Sequence, residues 1–255
     1  MSVGLLFDVT RCIGCGACSA GCKEQNNLPL EIEPRTTAYT WTVVEQRAER
    51  NIRRLCMHCL DPACVSVCPV AALSRSPQGP VVYDATRCIG CRYCIMACPF
   101  NVPKYQWDRA IPIVGKCILC AERVKAGGQT ACAVVCPTGA TLFGERDALI
   151  REARQRIDSS RGAYVNHIYG LNEAGGTGVL FVGDVPFESL GLSSKIPPRP
   201  LPGYTWQVLS KVPDFVAVAA GLLYGVYWIT GRREEVRQHA ERTRQDHDEE
   251  TGGRS

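Results

Sequence analysis

No surplus of either charge marks this sequence. Its 29 lysines and arginines stand against 25 aspartates and glutamates, a formal net charge of +4 in mixed sign. That balance leaves no basic footprint, so no nucleic-acid partner is expected. Also missing from the N-terminus are a charged segment followed by an apolar run and a twin-arginine pair. The chain is therefore expected to carry no export signal of its own. The glycine-rich Gly175-Gly176-Thr177-Gly178 lacks the lysine and the strand-to-helix setting of a phosphate loop, and reads as a turn entering a strand at Val179 to Val182. No acid, base and nucleophile constellation stands out, which argues against substrate chemistry by the chain itself.

What the sequence has in quantity is cysteine. All sixteen fall into four groups of four, with none left over. Cys12, Cys15, Cys18 and Cys22 follow C-x2-C-x2-C-x3-C, and Cys88, Cys91, Cys94 and Cys98 repeat it. Cys56, Cys59, Cys64 and Cys68 widen the middle gap; Cys117, Cys120, Cys132 and Cys136 widen it further. Pro69, Pro99 and Pro137 follow a fourth cysteine, and Lys23 takes that place in the first group. In this pattern three close thiolates wrap one iron–sulfur cube and the fourth leaves for a neighbouring cube, so each run implies a partner run.

Two other readings of the cysteines are weaker. Sixteen in 255 residues is about 6%, below the density of disulfide scaffolds, and a disulfide framework needs no thiols three residues apart in every group. Structural zinc uses two separated pairs, and a third close cysteine followed by C-P has no role in a tetrahedral site. His58, inside Cys56-Met57-His58-Cys59, is expected to support the site from outside the ligand set or to lie on the surface.

The sequence also repeats itself. Phe7-Asp8-Val9-Thr10-Arg11-Cys12-Ile13-Gly14-Cys15 recurs as Tyr83-Asp84-Ala85-Thr86-Arg87-Cys88-Ile89-Gly90-Cys91, and Cys64-Val65-Ser66-Val67-Cys68-Pro69 resembles Cys132-Ala133-Val134-Val135-Cys136-Pro137. Gly14 and Gly90 permit the backbone to turn its N–H groups inward round a cube. Ile13, Ile89, Ile118 and Val65, beside the ligands, are expected to exclude water. Tyr93, Tyr105 and Trp107 are expected to pack over a cluster or at an interface. Gly4 to Phe7 reads as a strand, Thr36 to Gln46 as another that pairs with Ile52 to Leu55, and Arg146 to Ile157 as a surface helix.

Beyond the cysteines, Lys195-Ile196-Pro197-Pro198-Arg199-Pro200-Leu201-Pro202-Gly203 reads as a stiff extended linker. After it, Phe215 to Gly231 carries no charge, with Tyr204 and Trp206 upstream and Tyr227 and Trp228 near its far end. These seventeen residues span roughly 25 Å as a helix, enough to cross a bilayer with aromatics at both interfaces. Arg232, Arg233, Arg237, Arg242 and Arg244 follow it and only Lys211 precedes it closely. The positive-inside rule puts the tail in the cytoplasm and the cysteine-rich part outside. Cubes are assembled in the cytoplasm, so the folded subunit is expected to travel with a partner that has a twin-arginine signal.

The four groups, with Cys56-Met57-His58-Cys59-Leu60-Asp61-Pro62-Ala63-Cys64 and Cys98-Pro99-Phe100-Asn101-Val102-Pro103-Lys104-Tyr105, resemble the four-cluster ferredoxin-type subunit of membrane-bound respiratory oxidoreductases. The iron–sulfur subunits of quinone-linked [NiFe] hydrogenases and the formate dehydrogenase β subunits are most similar. Tyr169-Gly170, Gly175-Gly176-Thr177 and Val185-Pro186-Phe187 extend the likeness. The resemblance implies an α+β fold of two fused bacterial-ferredoxin-like two-cluster units with inserted β-hairpins, followed by one C-terminal transmembrane helix. Unit A would comprise residues 1–35 and 113–150, unit B residues 36–112, an extension residues 151–194, a linker 195–211, the membrane helix 212–231 and a charged tail 232–255. It further implies four [4Fe-4S] clusters: Cys12, Cys15 and Cys18 with Cys136; Cys117, Cys120 and Cys132 with Cys22; Cys56, Cys59 and Cys64 with Cys98; Cys88, Cys91 and Cys94 with Cys68. In nitrate reductase relatives a tryptophan replaces one ligand and a three-iron cluster results, whereas Cys91 is present here. Unit A would face a catalytic subunit, of hydrogenase or formate dehydrogenase type, and unit B a quinone-reactive integral membrane subunit, with or without haem b. The alternatives are the iron–sulfur subunit of another molybdopterin oxidoreductase, an enzyme with an open iron site, or a zinc-binding interaction module.

Overall fold

The computed structural model describes residues 2–109, 112–160 and 162–252. They form two compact units, one reaching Gly203 and one starting at Tyr204. In the first, β1 (Val3–Asp8) leads into the first cysteine group and α1 (Ala17–Gln25) leads out of it. A hairpin of β2 (Val43–Arg47) and β3 (Arg50–Arg54) precedes the second group, which includes α2 (Ala63–Ser66). A second hairpin, β4 (Leu73–Arg75) and β5 (Val81–Tyr83), precedes the third group and α3 (Tyr93–Ala97). The short pair β6 (Lys104–Tyr105) and β7 (Val114–Gly115) precedes the fourth, with α4 (Ala121–Lys125) and α5 (Ala131–Val134). The chain then runs through β8 (Thr141–Glu145), α6 (Arg146–Ser159) and β9 (Val179–Val182).

One three-stranded sheet organises this unit, in the order β8-β1-β9. β8 pairs antiparallel with β1, Phe7 opposite Thr141, and β9 runs parallel to it, Leu5 opposite Val179. Val179-Leu180-Phe181-Val182 is buried along its whole length because both sheet faces are covered. On one face Leu6, Leu180 and Val182 meet Leu149 and Ala153 of α6. On the other, Leu5, Phe7 and Phe181 join a core that includes Cys18, Cys56, Cys117 and Cys132. The thiols are thus part of the hydrophobic core.

The strand expected over Thr36 to Gln46 is shorter than its pattern. Only Val43 onward joins the ladder, while Thr37 N–H bonds Thr40 O at 3.0 Å and Trp41 Nε1 bonds Ala38 O at 2.9 Å, which folds that stretch on itself. Its hairpin with β3 turns through Ala48 and Glu49, both at positive φ, a type I′ geometry matched to strand twist.

The proline-rich stretch, which closes the first unit, turns helical sooner than expected. α7 (Leu201–Leu209) begins inside it, with Pro202 in the first turn where its missing N–H goes unused. α8 (Val212–Gly252) is one continuous helix of 41 residues whose N-terminal half holds the apolar run. It is long and apolar enough to cross a membrane, and Phe215, Leu223, Tyr227 and Trp228 on it are all exposed.

Candidate metal centre

The sequence repeat is a repeat of structure. Asp8 Oδ1 accepts from Thr10 N at 3.0 Å and Thr10 Oγ1 at 2.6 Å, and Asp84 Oδ1 from Thr86 N at 2.9 Å and Thr86 Oγ1 at 2.6 Å. Arg11 and Arg87 each reach back to the same aspartate, at 3.5 and 3.6 Å. This local turn fixes where each following cysteine loop begins. The strand before each loop pairs with the strand that follows another group's last cysteine: β1 with β8 in one case, β5 with β4 in the other.

All four loops then bend the same way. The second residue after the leading cysteine has positive φ in every group: Gly14 at 75°, His58 at 48°, Gly90 at 71° and Leu119 at 55°. Sequence reasoning found only the two glycines. That conformation turns N–H groups onto sulfur: Gly90 N lies 3.4 Å from Cys88 Sγ and Leu119 N 3.4 Å from Cys117 Sγ. A second shared bend follows each Cys-Pro, where Ala71, Asn101 and Gly139 have positive φ and donate to the carbonyls of Cys68, Cys98 and Cys136. The first group has no proline, so α1 continues past Cys22 and Lys23 is buried, its Nζ donating to Tyr39 O at 2.9 Å.

These bends gather the thiols across groups. A small cavity is lined by Cys12, Cys15, Cys18 and Cys136 with Phe7, Ile13 and Val44. Another is lined by Cys68, Cys88, Cys91 and Cys94 with Leu73, Tyr83 and Val114. The remaining eight thiols are close enough to perturb one another. Burial pushes the Cys22 thiol up to about 12, with Cys132, Cys120 and Cys18 adding to the rise. Cys117 is raised well above its ordinary value by burial, then by Cys22, Cys56 and Cys132. Cys59 is raised by burial, then by Cys56, Cys98 and Cys64. Cys64 is pushed up to about 12 by burial, with Cys56, Cys98 and Cys94 adding to it and Lys116 opposing.

The same influences link the quartets in a row. Cys18 feels Cys132, Cys117 feels Cys56, and Cys64 feels Cys94. Starting from Cys12 the order is therefore the Cys12 quartet, the Cys117 quartet, the Cys56 quartet and the Cys88 quartet.

The donor set fits cubane clusters. Thiols raised by burial lose their protons readily only to a metal, and the N–H groups at sulfur and the apolar lining suit a buried anionic cluster.

Other side chains singled out in the sequence take up these places. His58 is buried, not on the surface, and its Nδ1 accepts from Val81 N at 2.9 Å, tying its loop to β5. Burial, then Lys116, lowers its pKa well below the ordinary value, so the ring is neutral. Ile13 and Ile89 border the two end cavities but are 64% and 66% exposed, because each sits at a loop apex; they do not exclude water from the chain by itself. Ile118 and Val65, beside the inner quartets, are half-buried. Tyr93 and Trp107 are exposed, and Arg92 lies 5.2 Å from the Trp107 ring. Sequence reasoning missed Arg53 and Lys116, both buried beside thiols; neither stands in a recognisable motif.

Comparison with known proteins agrees with this chemistry. The 4Fe-4S dicluster domain matches residues 50–146, which hold twelve of the cysteines. A protein of Nitratidesulfovibrio vulgaris strain Hildenborough is 40% identical over 253 residues, covering 92% of this chain and 68% of that one. The hydrogenase-2 operon protein HybA of Escherichia coli O157:H7 is 38% identical over 238 residues, 75% of this chain and 73% of its own. The iron–sulfur subunit of nitrate-inducible formate dehydrogenase of Escherichia coli K12 is 35% identical over 258 residues, 91% and 87% of the two chains. The bent cysteine loops, the shared quartets and these likenesses together make the chain a member of the 4Fe-4S family of hydrogenase and formate dehydrogenase iron–sulfur subunits.

Proposed function

We propose that this chain is a four-cluster electron wire between a catalytic subunit and a quinone-reactive membrane subunit. It is an electron-transfer subunit and not itself the enzyme. The observation that carries the reading is the succession of four thiol groups, each with a thiol close enough to influence one in the next. Cys12, Cys15, Cys18 and Cys136 would hold one [4Fe-4S] cluster; Cys22, Cys117, Cys120 and Cys132 the next; Cys56, Cys59, Cys64 and Cys98 the third; Cys68, Cys88, Cys91 and Cys94 the last. Each cluster, when bound, takes up and releases one electron. The chain's own part is to fix their spacing, to keep the inner two dry and to present N–H groups to sulfur. The crossed pairing, in which each quartet borrows one cysteine from another group, supports two fused ferredoxin-like units.

The two ends carry different apolar surfaces. Ile13, Val134 and Val135 are exposed near the Cys12 quartet, and Ile89, Tyr93, Met96 and Trp107 near the Cys88 quartet. Exposed apolar clusters beside the terminal quartets suit subunit contacts. We assign the first to the catalytic partner and the second to the membrane partner, with α8 spanning the bilayer and its arginine-rich end in the cytoplasm.

Elemental analysis of the complex, solubilised gently through a tag on this chain, tests the reading. One iron per cysteine of this chain is expected, above the partner's own iron, with nickel if the partner is a hydrogenase and molybdenum or tungsten if it is a formate dehydrogenase or another pterin enzyme. Zinc without iron would overturn it.

A further inference from the structure

Arg53 sits on β3, whose partner β2 and neighbouring sheet close round it until it is 1% exposed. Its Nε donates to Thr42 Oγ1 at 2.9 Å and its Nη1 to Thr141 Oγ1 at 3.2 Å. Both acceptors are neutral hydroxyls, and among the described residues no carboxylate pairs with it. A buried guanidinium without a counter-ion is costly unless negative charge lies beside it. The groups that do lie beside it are thiols of two different quartets. Thr141, one of its two acceptors, lines the cavity that Cys12, Cys15, Cys18 and Cys136 share; Cys132, Cys18 and Cys117 are close enough to act on the guanidinium, and its charge lowers Cys18, Cys22 and Cys120 against the rise that burial imposes.

We propose that Arg53 is a shared counter-charge that raises the midpoint potentials of the Cys12-quartet and Cys117-quartet clusters together, a positioning residue of the wire fixed by Thr42 and Thr141. This rests on the four-cluster reading above. Reducing a cluster adds one electron, from the neighbouring centre or from the titrant, and makes it more negative. No bond forms or breaks, and the guanidinium keeps its proton throughout. A fixed cation therefore favours the reduced form of both clusters it adjoins. Two adjacent centres tuned by one charge move in step, which keeps the electron exchange between them nearly level whatever the local field.

Redox titration of the purified complex, followed by electron paramagnetic resonance, tests this after iron has been counted. Wild-type signals are first assigned with Cys15→Ser, Cys120→Ser and Cys91→Ser. In Arg53→Gln the reduced-to-oxidised ratio of two clusters at fixed potential should fall about tenfold, a shift of roughly 59 mV downward for a one-electron couple. The Cys56-quartet and Cys88-quartet clusters should keep their wild-type midpoints, and Arg53→Lys should recover most of the shift. An iron-replete Arg53→Gln with all midpoints unmoved, or with all four moved alike, overturns the proposal. Should Arg53→Gln lose iron, the Thr42→Val, Thr141→Val double variant replaces it, since it frees the guanidinium without removing it. The same two midpoints must then move, and an unmoved pair refutes the assignment. Fewer than four clusters in the wild-type complex would instead count against the wire itself.

Discussion

Replacing Asp8 by alanine strips four hydrogen bonds from a carboxylate with no exposed surface. Its oxygens accept from Arg156 Nη1 at 2.7 Å, Tyr164 Oη at 2.9 Å, and the backbone and hydroxyl of Thr10. The residue joins the end of β1 to α6 and sets the turn into the first cysteine loop. Breaking a buried ion pair from one side costs about 3–5 kcal/mol, and Arg156 then keeps only the exposed Glu152, at 2.8 Å, as a partner. For a unit near 200 residues each kcal/mol moves the unfolding temperature by about 2–4 °C, so a fall of roughly 6–20 °C is expected. Because a cluster-bearing chain need not unfold reversibly, the assay is bleaching of cluster absorbance at a fixed heating rate. The repeat supplies the control. Asp84 makes the same turn with Thr86 and Arg87 but is 49% exposed and, among the described residues, has no counterpart of Arg156, so Asp84→Ala should bleach close to wild type. Adding Arg156→Met to Asp8→Ala should restore part of the loss, since the guanidinium, left with Glu152 alone, goes with it. Equal falls for Asp8→Ala and Asp84→Ala would refute the argument, because burial would then not be the cause.

Three further expectations follow from the same geometry. Cys91→Ser, in the last quartet, should lose or convert one cluster and stop electron delivery to quinone while the catalytic partner keeps its dye-linked activity; surviving quinone reduction would show that the centres do not act in series. Arg50 hydrogen-bonds Asp184 at 2.6–3.0 Å and holds its carboxyl below the usual range. A depressed carboxylate pKa stabilises the fold above the unfolded value near 3.9 and ceases to do so as pH falls through the folded value. The bleaching-temperature gap between wild type and Asp184→Asn should thus be constant from pH 7 to 5 and close below about pH 4; a gap that persists there excludes the ion pair as its source. Truncation after Lys211 should leave a chain that alkaline carbonate washes from membranes, whereas the intact chain resists; equal release would mean that α8 does not anchor it.

What the sequence could say was local. Cysteine spacing, Cys-Pro and the Asp-Val-Thr-Arg repeat fix conformation within a few residues, and β1, β9 and α6 formed where their patterns lay. What it could not say was long-range or compensated. β9 lies beside β1 from far along the chain, and nothing in either strand names the other. His58 and Leu119 adopt the glycine conformation without being glycine, since the surrounding loop overrides their local preference. Arg53 stands in Arg50-Asn51-Ile52-Arg53-Arg54, where a strand of exposed arginines is the natural reading; only the three-dimensional neighbourhood of thiols distinguishes it. Proline marked the end of the extended linker poorly because Pro202 and Pro213 stand in first helical turns, where proline is tolerated.

The borrowed fourth cysteine also bears on biogenesis. The cavity lined by Cys68, Cys88, Cys91 and Cys94 has all its thiols once residue 94 has been synthesised. The one lined by Cys12, Cys15, Cys18 and Cys136 waits for residue 136, and β1 has no partner until β8 emerges. Closing that loop means bringing together ends more than a hundred residues apart, at an entropic cost that the shorter inner loop avoids. The order in which these thiol groups become complete as the chain is made therefore runs from the centre of the sequence outward, and the one completed last holds the earliest-made cysteines.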